Sequence, residues 1–267
     1  GNSKMILAYN FLKEILKEYT PSLDELTNKL INIGFEVEDL IKHPLNDIIT
    51  VIAKNVEKIE SLNNEIIDYY KPFESDEPKR KIIRDGIVNI ENYYDSNPKI
   101  MWILKEAYDE VDNMGGGWSL VEDLDTRRAT GVNRTSWQTF DKIIYTTFCI
   151  LNEFIQIEEI PYKADDIRLC SVLKNIAYIN IQKLPATKTS DDKLIEQALI
   201  KHKDILLKQI NTINPDIIIN CSMQNIRKAF DGKLNENIIY SQSYHPANRR
   251  RSTKDFVNKI IEQIKSK

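Results

Sequence analysis

The sequence has few cysteines and histidines and no long apolar run. Its three cysteines, Cys149, Cys170 and Cys221, are far apart and include no CxxC pair, so neither a zinc nor an iron–sulfur site is expected. We predict no metal and no other cofactor. A run of about eighteen apolar residues is absent, so no transmembrane helix is expected. The first residues lack the apolar stretch of a signal peptide, and residues 1–3, ahead of Met5, are interpreted as a cloning scar. Together with reduced, buried thiols, this predicts a cytoplasmic protein without membrane partners.

Excess positive charge is also lacking. The net charge of −3 argues against a globally basic nucleic-acid binder, but an enzyme that visits DNA briefly needs only a local basic patch. The densest basic cluster is Arg249, Arg250 and Arg251. A length of 267 residues fits one large domain, or one domain plus a small appendage, and we expect a monomer.

Short apolar runs alternate with helical stretches over the last two-thirds of the chain. Strands are predicted at residues 100–104, 176–181, 216–219 and 238–240, and helices at 79–94, 136–155, 191–213, 223–230 and 253–265. This alternation predicts an α/β fold of three layers (α/β/α) with a mostly parallel four-stranded sheet. A polar, proline-bearing segment at 71–78 suggests a boundary between a mainly helical appendage (1–72) and an α/β domain (73–267).

Ligands of open α/β sheets bind at the carboxyl ends of the strands, so the residues after each strand are the site candidates. Glu106 and Asp109, after the first strand, are carboxylates that can orient a water molecule. Residues 115–117 are glycines that would let the backbone approach a ligand, and Trp118 can stack on a base. The alternative for this segment is a surface loop with a partly buried tryptophan.

The later strand ends carry an amide, an imidazole and the basic cluster. Asn180 can read a base edge by paired hydrogen bonds, or it can simply hold the turn after its strand. Lys183 suits a phosphate. His245 can stabilise an anion as imidazolium, or donate a hydrogen bond to a carbonyl oxygen as neutral imidazole. Phosphate contacts are predicted for Asn248, Arg249, Arg250 and Arg251, although an arginine run can also be a solvated surface. His43 and His202 are expected to be structural or solvated.

Residues 98–265 resemble the uracil-DNA glycosylase superfamily. IMWILKEAYD occupies the place of the first active-site motif, AYINIQKLP is similar to the strand that ends in the base-reading asparagine, and SYHPANRRR is similar to the late His-Pro motif. NPDIIINCSMQNIRKAF fits the strand and helix before that motif. The resemblance implies a metal-independent DNA glycosylase that flips a nucleotide from single- or double-stranded DNA. Glu106 would be the motif's acid, Asn180 the base reader and His245 the late histidine, with Trp118 and Tyr108 contacting the base.

Departures from the family pattern leave the substrate open. Ala107 stands where one branch has a water-activating aspartate, Lys105 replaces a glycine and Tyr108 a proline. The branch with an acid at the position of Glu106 carries four cysteines for an iron–sulfur cluster, which this chain cannot supply. The target is therefore uracil or a modified base, such as one found in viral DNA. A catalytically inactive module that binds nucleic acid or a nucleotide is the alternative.

Residues 5–57 carry a separate, local likeness. The pattern YNFLKEIL, followed by SLDELTNKLINIGFEVEDL, resembles the opening of the phenylalanyl-tRNA synthetase β chain. It contains no catalytic group, so it is either a small helical appendage or a chance similarity. A translation-linked accessory protein that associates with tRNA is a further hypothesis.

Overall fold

The computed structural model describes residues 45–109, 115–131, 137–163, 165–186 and 190–267, with no description of the side chains of 45–54, 108, 137, 138, 167 and 186. The chain divides into two compact units, Gly1–Val56 and Glu57–Lys267. This division precedes the polar segment at 71–78, where the sequence suggests a boundary. Ile59, Leu62, Ile66 and Tyr70, which fall within the predicted appendage (1–72), are buried in the core of the second unit. His43 and most of the synthetase-like segment lie outside the described residues.

The described elements follow one another in this order. Helices are α1 (Leu45–Tyr70), α2 (Ile90–Asp95), α3 (Leu120–Asp123), α4 (Trp137–Leu151), α5 (Asp192–Lys201), α6 (Lys203–Ile213), α7 (Ile226–Ala229) and α8 (Thr253–Lys265). Strands are β1 (Ser75–Asp76), β2 (Lys79–Arg80), β3 (Gly86–Ile87), β4 (Ile100–Tyr108), β5 (Ile176–Ala186), β6 (Ile217–Asn220) and β7 (Ile239–Gln242). Turns of 3₁₀ helix occupy Lys71–Phe73, Ile157–Glu159 and Ile167–Asn175, and a π-helical turn occupies Leu124–Arg128.

The central sheet is mixed and has five strands in the order β3-β5-β4-β6-β7. The four predicted strands are present and pair in parallel, which confirms the α/β class. The predicted count of four is wrong, because β3 adds an antiparallel edge against β5. Two residues are too short a run to give a periodic sequence signal, so this strand escapes pattern analysis.

Apolar side chains cover both faces of the sheet, which explains why its strands are continuous hydrophobic runs. Trp102 and Leu104 point into one core with residues of α4 and α8. Met101 and Ile103 point into the other, with residues of α1, α5 and α6. Neighbouring residues of a strand face opposite sides, so one run of apolar residues supplies both cores.

The helix predicted at 79–94 is largely absent. Only Ile90–Asp95 is helical, and Asn89 caps it by accepting a hydrogen bond from Asn92 N. Residues 81–84 are extended instead and pair with residues 115–117, the glycine segment. Lys81 N donates to Gly115 O at 2.6 Å, and Gly117 N donates to Ile82 O at 3.1 Å. This pairing partner lies more than thirty residues away in sequence, beyond the reach of local propensity.

The helix predicted at 191–213 is divided in two at His202, where α5 ends and α6 begins. The expected helices at 136–155 and 253–265 correspond to α4 and α8. Among the helices of the described residues, none has the length and apolar character that a bilayer span requires.

Candidate functional site

The carboxyl ends of β4, β5, β6 and β7 meet at one edge of the sheet because these strands run in parallel. Leu104 on β4 lies opposite Asn180 on β5, and Glu106 lies opposite Gln182 two residues further along. His245 follows the end of β7 by three residues. At about 4.8 Å per strand, the three spacings from β5 to β7 separate their backbones by about 14 Å.

Glu106 lies in a pocket of about 320 Å³ between the ends of β4 and β5 and helix α5. Phe73, Arg80, Gln182 and His202 also line it. Burial raises the pKa of the Glu106 carboxyl, whereas a hydrogen bond from Ser190 and the charges of Lys105 and Arg80 oppose the rise. Neither Asn180 nor His245 is among the residues that line this pocket, so it does not unite the three predicted site residues.

Asn180 is 1% exposed, and its backbone N donates to Asp85 Oδ2 at 2.7 Å. Its side-chain Oδ1 is buried and accepts no hydrogen bond from the described residues. Asn220, at the end of β6, differs from Asn180 because its whole side-chain amide is hydrogen-bonded. It contacts Gln224 O, Tyr240 Oη and both donors of Ser222 at 2.6–3.1 Å. A buried acceptor without a donor costs free energy, so the amide oxygen of Asn180, unlike that of Asn220, has no stabilising contact among the described residues.

His245 is held neutral and in one tautomer. Burial, followed by the charges of Lys105 and Lys142, lowers its pKa from 6.5 to about 4. Its Nδ1 accepts a hydrogen bond from Ala247 N at 3.2 Å. Because a backbone N–H can only donate, the ring proton resides on Nε2. Of the two roles open to His245, the structure favours the neutral hydrogen-bond donor.

Lys183 does not face solvent, and its predicted phosphate contact is corrected. The side chain is 1% exposed, and its Nζ lies 2.6 and 2.8 Å from the two carboxylate oxygens of Asp85. Burial lowers the pKa of Lys183, and Asp85 opposes this effect. Gln209 Nε2 also donates to Asp85 at 3.0 Å. A backbone phosphate would have to displace this buried carboxylate.

The glycine segment approaches backbone rather than a ligand. A Cβ on Gly115 would lie 2.1 Å from Lys79 O, and one on Gly116 would lie 2.0 Å from Lys81 O. Asp109, a predicted catalytic carboxylate, accepts a hydrogen bond from Gly116 N at 2.6 Å and so holds the same segment. The expectation that these glycines make room for a ligand is therefore replaced by a structural reason.

Trp118 ends this segment. It is partly buried and packs against the core that contains Trp102. Its backbone O accepts a hydrogen bond from Arg84 N at 3.1 Å, which continues the pairing of the glycine segment. Stacking of a base on Trp118 stays a prediction. Tyr108 is the last residue of β4, and its side chain lies outside the described part of the chain.

Asn248 and the basic cluster continue from His245. Asn248 N donates to His245 O at 2.9 Å, Asn248 O accepts from Lys142 Nζ at 2.7 Å, and Asn248 Oδ1 accepts from Arg250 N at 2.9 Å. These bonds fix the loop. Arg249, Arg250 and Arg251 are exposed, and Arg251 Cζ lies 5.5 Å from the centroid of the Tyr244 ring. The phosphate contacts predicted for these four residues stay predictions.

Lys142 is not among the residues predicted from the sequence, and His202 follows the structural one of its two predicted alternatives. Lys142 is buried although it carries a charge. Its spacing of four and seven residues from Thr146 and Cys149, both buried, puts it on the inward face of α4, a signal that helical periodicity contains. His202 is 3% exposed and packs among Tyr69, Tyr70 and Phe73, and burial lowers its pKa to about 4. The junction of two helices gives no comparable sequence signal.

Among the described residues, no group of three or more His, Cys, Asp or Glu side chains is arranged to hold a metal ion. The polar groups at the strand ends are an amide, a neutral imidazole, a half-buried carboxylate and surface cations, a set that suits hydrogen bonding to a polar organic ligand and its phosphates. In comparisons with known proteins, no family model, no curated protein and no solved structure matches the chain.

Proposed function

We propose that this protein is a DNA glycosylase-like enzyme with a three-layer, uracil-DNA glycosylase-like fold that binds a flipped nucleobase and hydrolyses its N-glycosidic bond. The observation that carries the proposal is His245, a neutral imidazole with its proton on Nε2, at the sheet edge that also holds Asn180. A nucleobase leaves as an anion, and a preorganised N–H donor stabilises that charge. Removing one such donor costs an enzyme about 2.7–4 kcal/mol in the transition state.

The order of the strands is the argument for a shared base site for Asn180 and His245. β4 and β6 lie between β5 and β7, so a base that contacts both side chains would lie over the carboxyl ends of these two strands. The unpartnered Oδ1 of Asn180 would accept from a ring N–H of the base. His245 Nε2–H would donate to a carbonyl oxygen of the same base.

Glu106 is the carboxylate that best fits the role of orienting water. Its raised pKa makes it a stronger base than an exposed glutamate. Asp109 fits this role less well, because it already accepts a hydrogen bond from Gly116 N. Arg249, Arg250 and Arg251 are exposed next to the His245 loop, where they would contact phosphates on either side of the flipped nucleotide.

The test is a glycosylase assay on single- and double-stranded DNA that contains uracil, deaminated, oxidised or hypermodified viral bases. Released bases are identified by mass spectrometry, and abasic sites are counted. We expect base release from at least one substrate, with Asn180→Ala and His245→Ala reducing the rate by at least about 10²-fold. Lys208→Ala, a surface change on α6, serves as the control. Full activity of both site variants would overturn the proposed site.

A non-catalytic module that binds nucleic acid is the second candidate, and Ala107 favours it. Its methyl group is 9% exposed and belongs to the core, at the position where the resemblance places a water-activating aspartate. The same substrate panel decides between the two. Binding that depends on Asn180 and His245, without abasic sites on any substrate, would support the module.

A further inference from the structure

Three lysines among the described residues are buried, and they differ in their partners. Lys163 Nζ lies 2.6 Å from Asp141 Oδ1, and Lys183 Nζ lies 2.6 Å from Asp85 Oδ1. Lys142, which is 5% exposed, has no carboxylate within ion-pair distance in the described part of the chain. A charged amine is rarely buried without a counter-ion, because losing its hydration is costly.

The contacts of Lys142 compensate only part of that cost. Its Nζ donates to Asn248 O at 2.7 Å and lies 5.4 Å from the centroid of the Phe256 ring. Burial lowers the pKa of this amine, so its neutral, nucleophilic form is more accessible than that of a surface lysine. A lysine kept for stability alone would be better replaced by an apolar residue or given a carboxylate.

Lys142 also lies beside the proposed catalytic group. Its charge contributes to the lowered pKa of His245, and it bonds the loop in which Asn248 N donates to His245 O. The amine is therefore attached to the loop of His245, the group beside which the proposed enzyme would leave its abasic sugar. That sugar equilibrates with an open-chain aldehyde at C1′, the electrophile with which amines form Schiff bases.

We propose that Lys142 is a Schiff-base nucleophile toward the C1′ aldehyde of an abasic site, which gives the protein an abasic-site lyase activity. This inference rests on the proposed function for its substrate class. The neutral amine attacks C1′, and the resulting carbinolamine loses water to give a protonated imine. Water then removes a proton from C2′, a C2′–C3′ double bond forms, and the C3′–O bond breaks with the phosphate as leaving group. Hydrolysis of the imine restores Lys142 and releases an unsaturated aldehyde.

The experiment uses the full chain and an oligonucleotide with a preformed abasic site, so it does not depend on base release. Borohydride reduces the imine to a stable amine, and the covalent protein–DNA adduct is measured on a denaturing gel. Peptide mass spectrometry locates the modified residue. We expect an adduct on Lys142 and strand cleavage on the 3′ side of the abasic site when borohydride is omitted.

Two variants separate a nucleophile from a structural lysine. Lys142→Arg keeps the charge and the donor to Asn248 O but cannot form the imine, so it should fold normally and lose at least about 90% of the adduct. Lys208→Arg, on the surface of α6, should keep the full adduct. An adduct that maps elsewhere, or that survives Lys142→Arg, overturns the proposal. Base release without any adduct would refute the lyase alone, and an adduct without base release would refute only the glycosylase.

Discussion

Replacing Lys183 by methionine separates a structural ion pair from the phosphate contact that its sequence position suggested. The change removes the cation that lies 2.6 and 2.8 Å from the oxygens of Asp85 and leaves the carboxylate buried. Only the neutral donors Asn180 N and Gln209 Nε2 would remain to solvate it. Breaking a buried pair in this way typically costs about 3–5 kcal/mol, a large part of the 5–15 kcal/mol that stabilises a domain.

The free energy of unfolding is measured by urea denaturation of the full chain, followed by circular dichroism. Lys208→Met is the matched control, because Lys208 pairs with Glu65 at 2.5 Å while both side chains are about half exposed. Exposed pairs of this kind contribute about 0–1 kcal/mol. We therefore expect Lys183→Met to be destabilised by at least about 2 kcal/mol more than the control.

A double variant tests the cause. Asp85→Leu combined with Lys183→Met removes both charges, so no uncompensated carboxylate is left and at least half of the lost stability should return. If Lys183→Met instead matched the control in stability and bound DNA more weakly, the phosphate role would be correct and the buried pair would be energetically irrelevant.

Three further predictions concern residues at or near the strand ends. Asn220→Ala should lower the free energy of unfolding, measured by urea denaturation, by about 3–5 kcal/mol, because several buried groups lose their hydrogen-bond partner. Asn180→Ala should lower it by only about 1 kcal/mol, because Asn180 Oδ1 has no described donor. Equal losses would contradict this contrast. Gly116→Ala should be at least about 2 kcal/mol less stable than Gly232→Ala, since both glycines have positive φ but only the Cβ at 116 meets backbone, and similar unfolding midpoints would refute the close packing. His245 has a folded pKa of about 4 against 6.5 when unfolded, so acidification through that window favours the unfolded state; its full effect is about 3 kcal/mol, and the stability of His245→Gln should fall less between pH 7 and pH 4.

The sequence was sufficient for the parts of the fold that local periodicity determines. The apolar runs that became β4, β5, β6 and β7 are buried on both faces, and such strands leave a continuous hydrophobic signature. The prediction of a helix at 79–94 was wrong because the structure of this segment depends on a distant partner, the glycine segment, rather than on its own residues. The segment at 71–78, where the sequence suggests a boundary, is a related case. The polar composition at 71–78 reflects an exposed hairpin of β1 and β2, which lies within the second unit.

The sequence indicated where the site candidates lie along the strands but not what their side chains contact. Topology alone puts Glu106 near the carboxyl end of β4, Asn180 in the middle of the neighbouring β5 and His245 just after β7. Whether a charged side chain at that edge faces solvent or a buried counter-ion depends on a third element. Lys183 pairs with Asp85, almost one hundred residues earlier in the chain, and no local pattern connects the two. Lys142 could not be identified from the sequence for the same reason, because its significance comes from the absence of a carboxylate near it among the described residues.

The buried methyl group of Ala107 limits how the proposed enzyme could work. An aspartate introduced there would put a carboxylate into the apolar core that surrounds Trp102 and Leu104, so the water-activating arrangement cannot be restored by one substitution. General-base catalysis contributes about 10²–10⁴-fold to a rate, whereas stabilisation of the leaving anion can contribute about as much without any base. A site that keeps Asn180 and His245 but lacks the aspartate should therefore release bases slowly rather than not at all. Because departure of the anion would then limit the rate, base release should depend more steeply on His245 than on Glu106. Comparing His245→Ala with Glu106→Gln on the preferred substrate tests this order, and the reverse ranking would mean that water activation dominates.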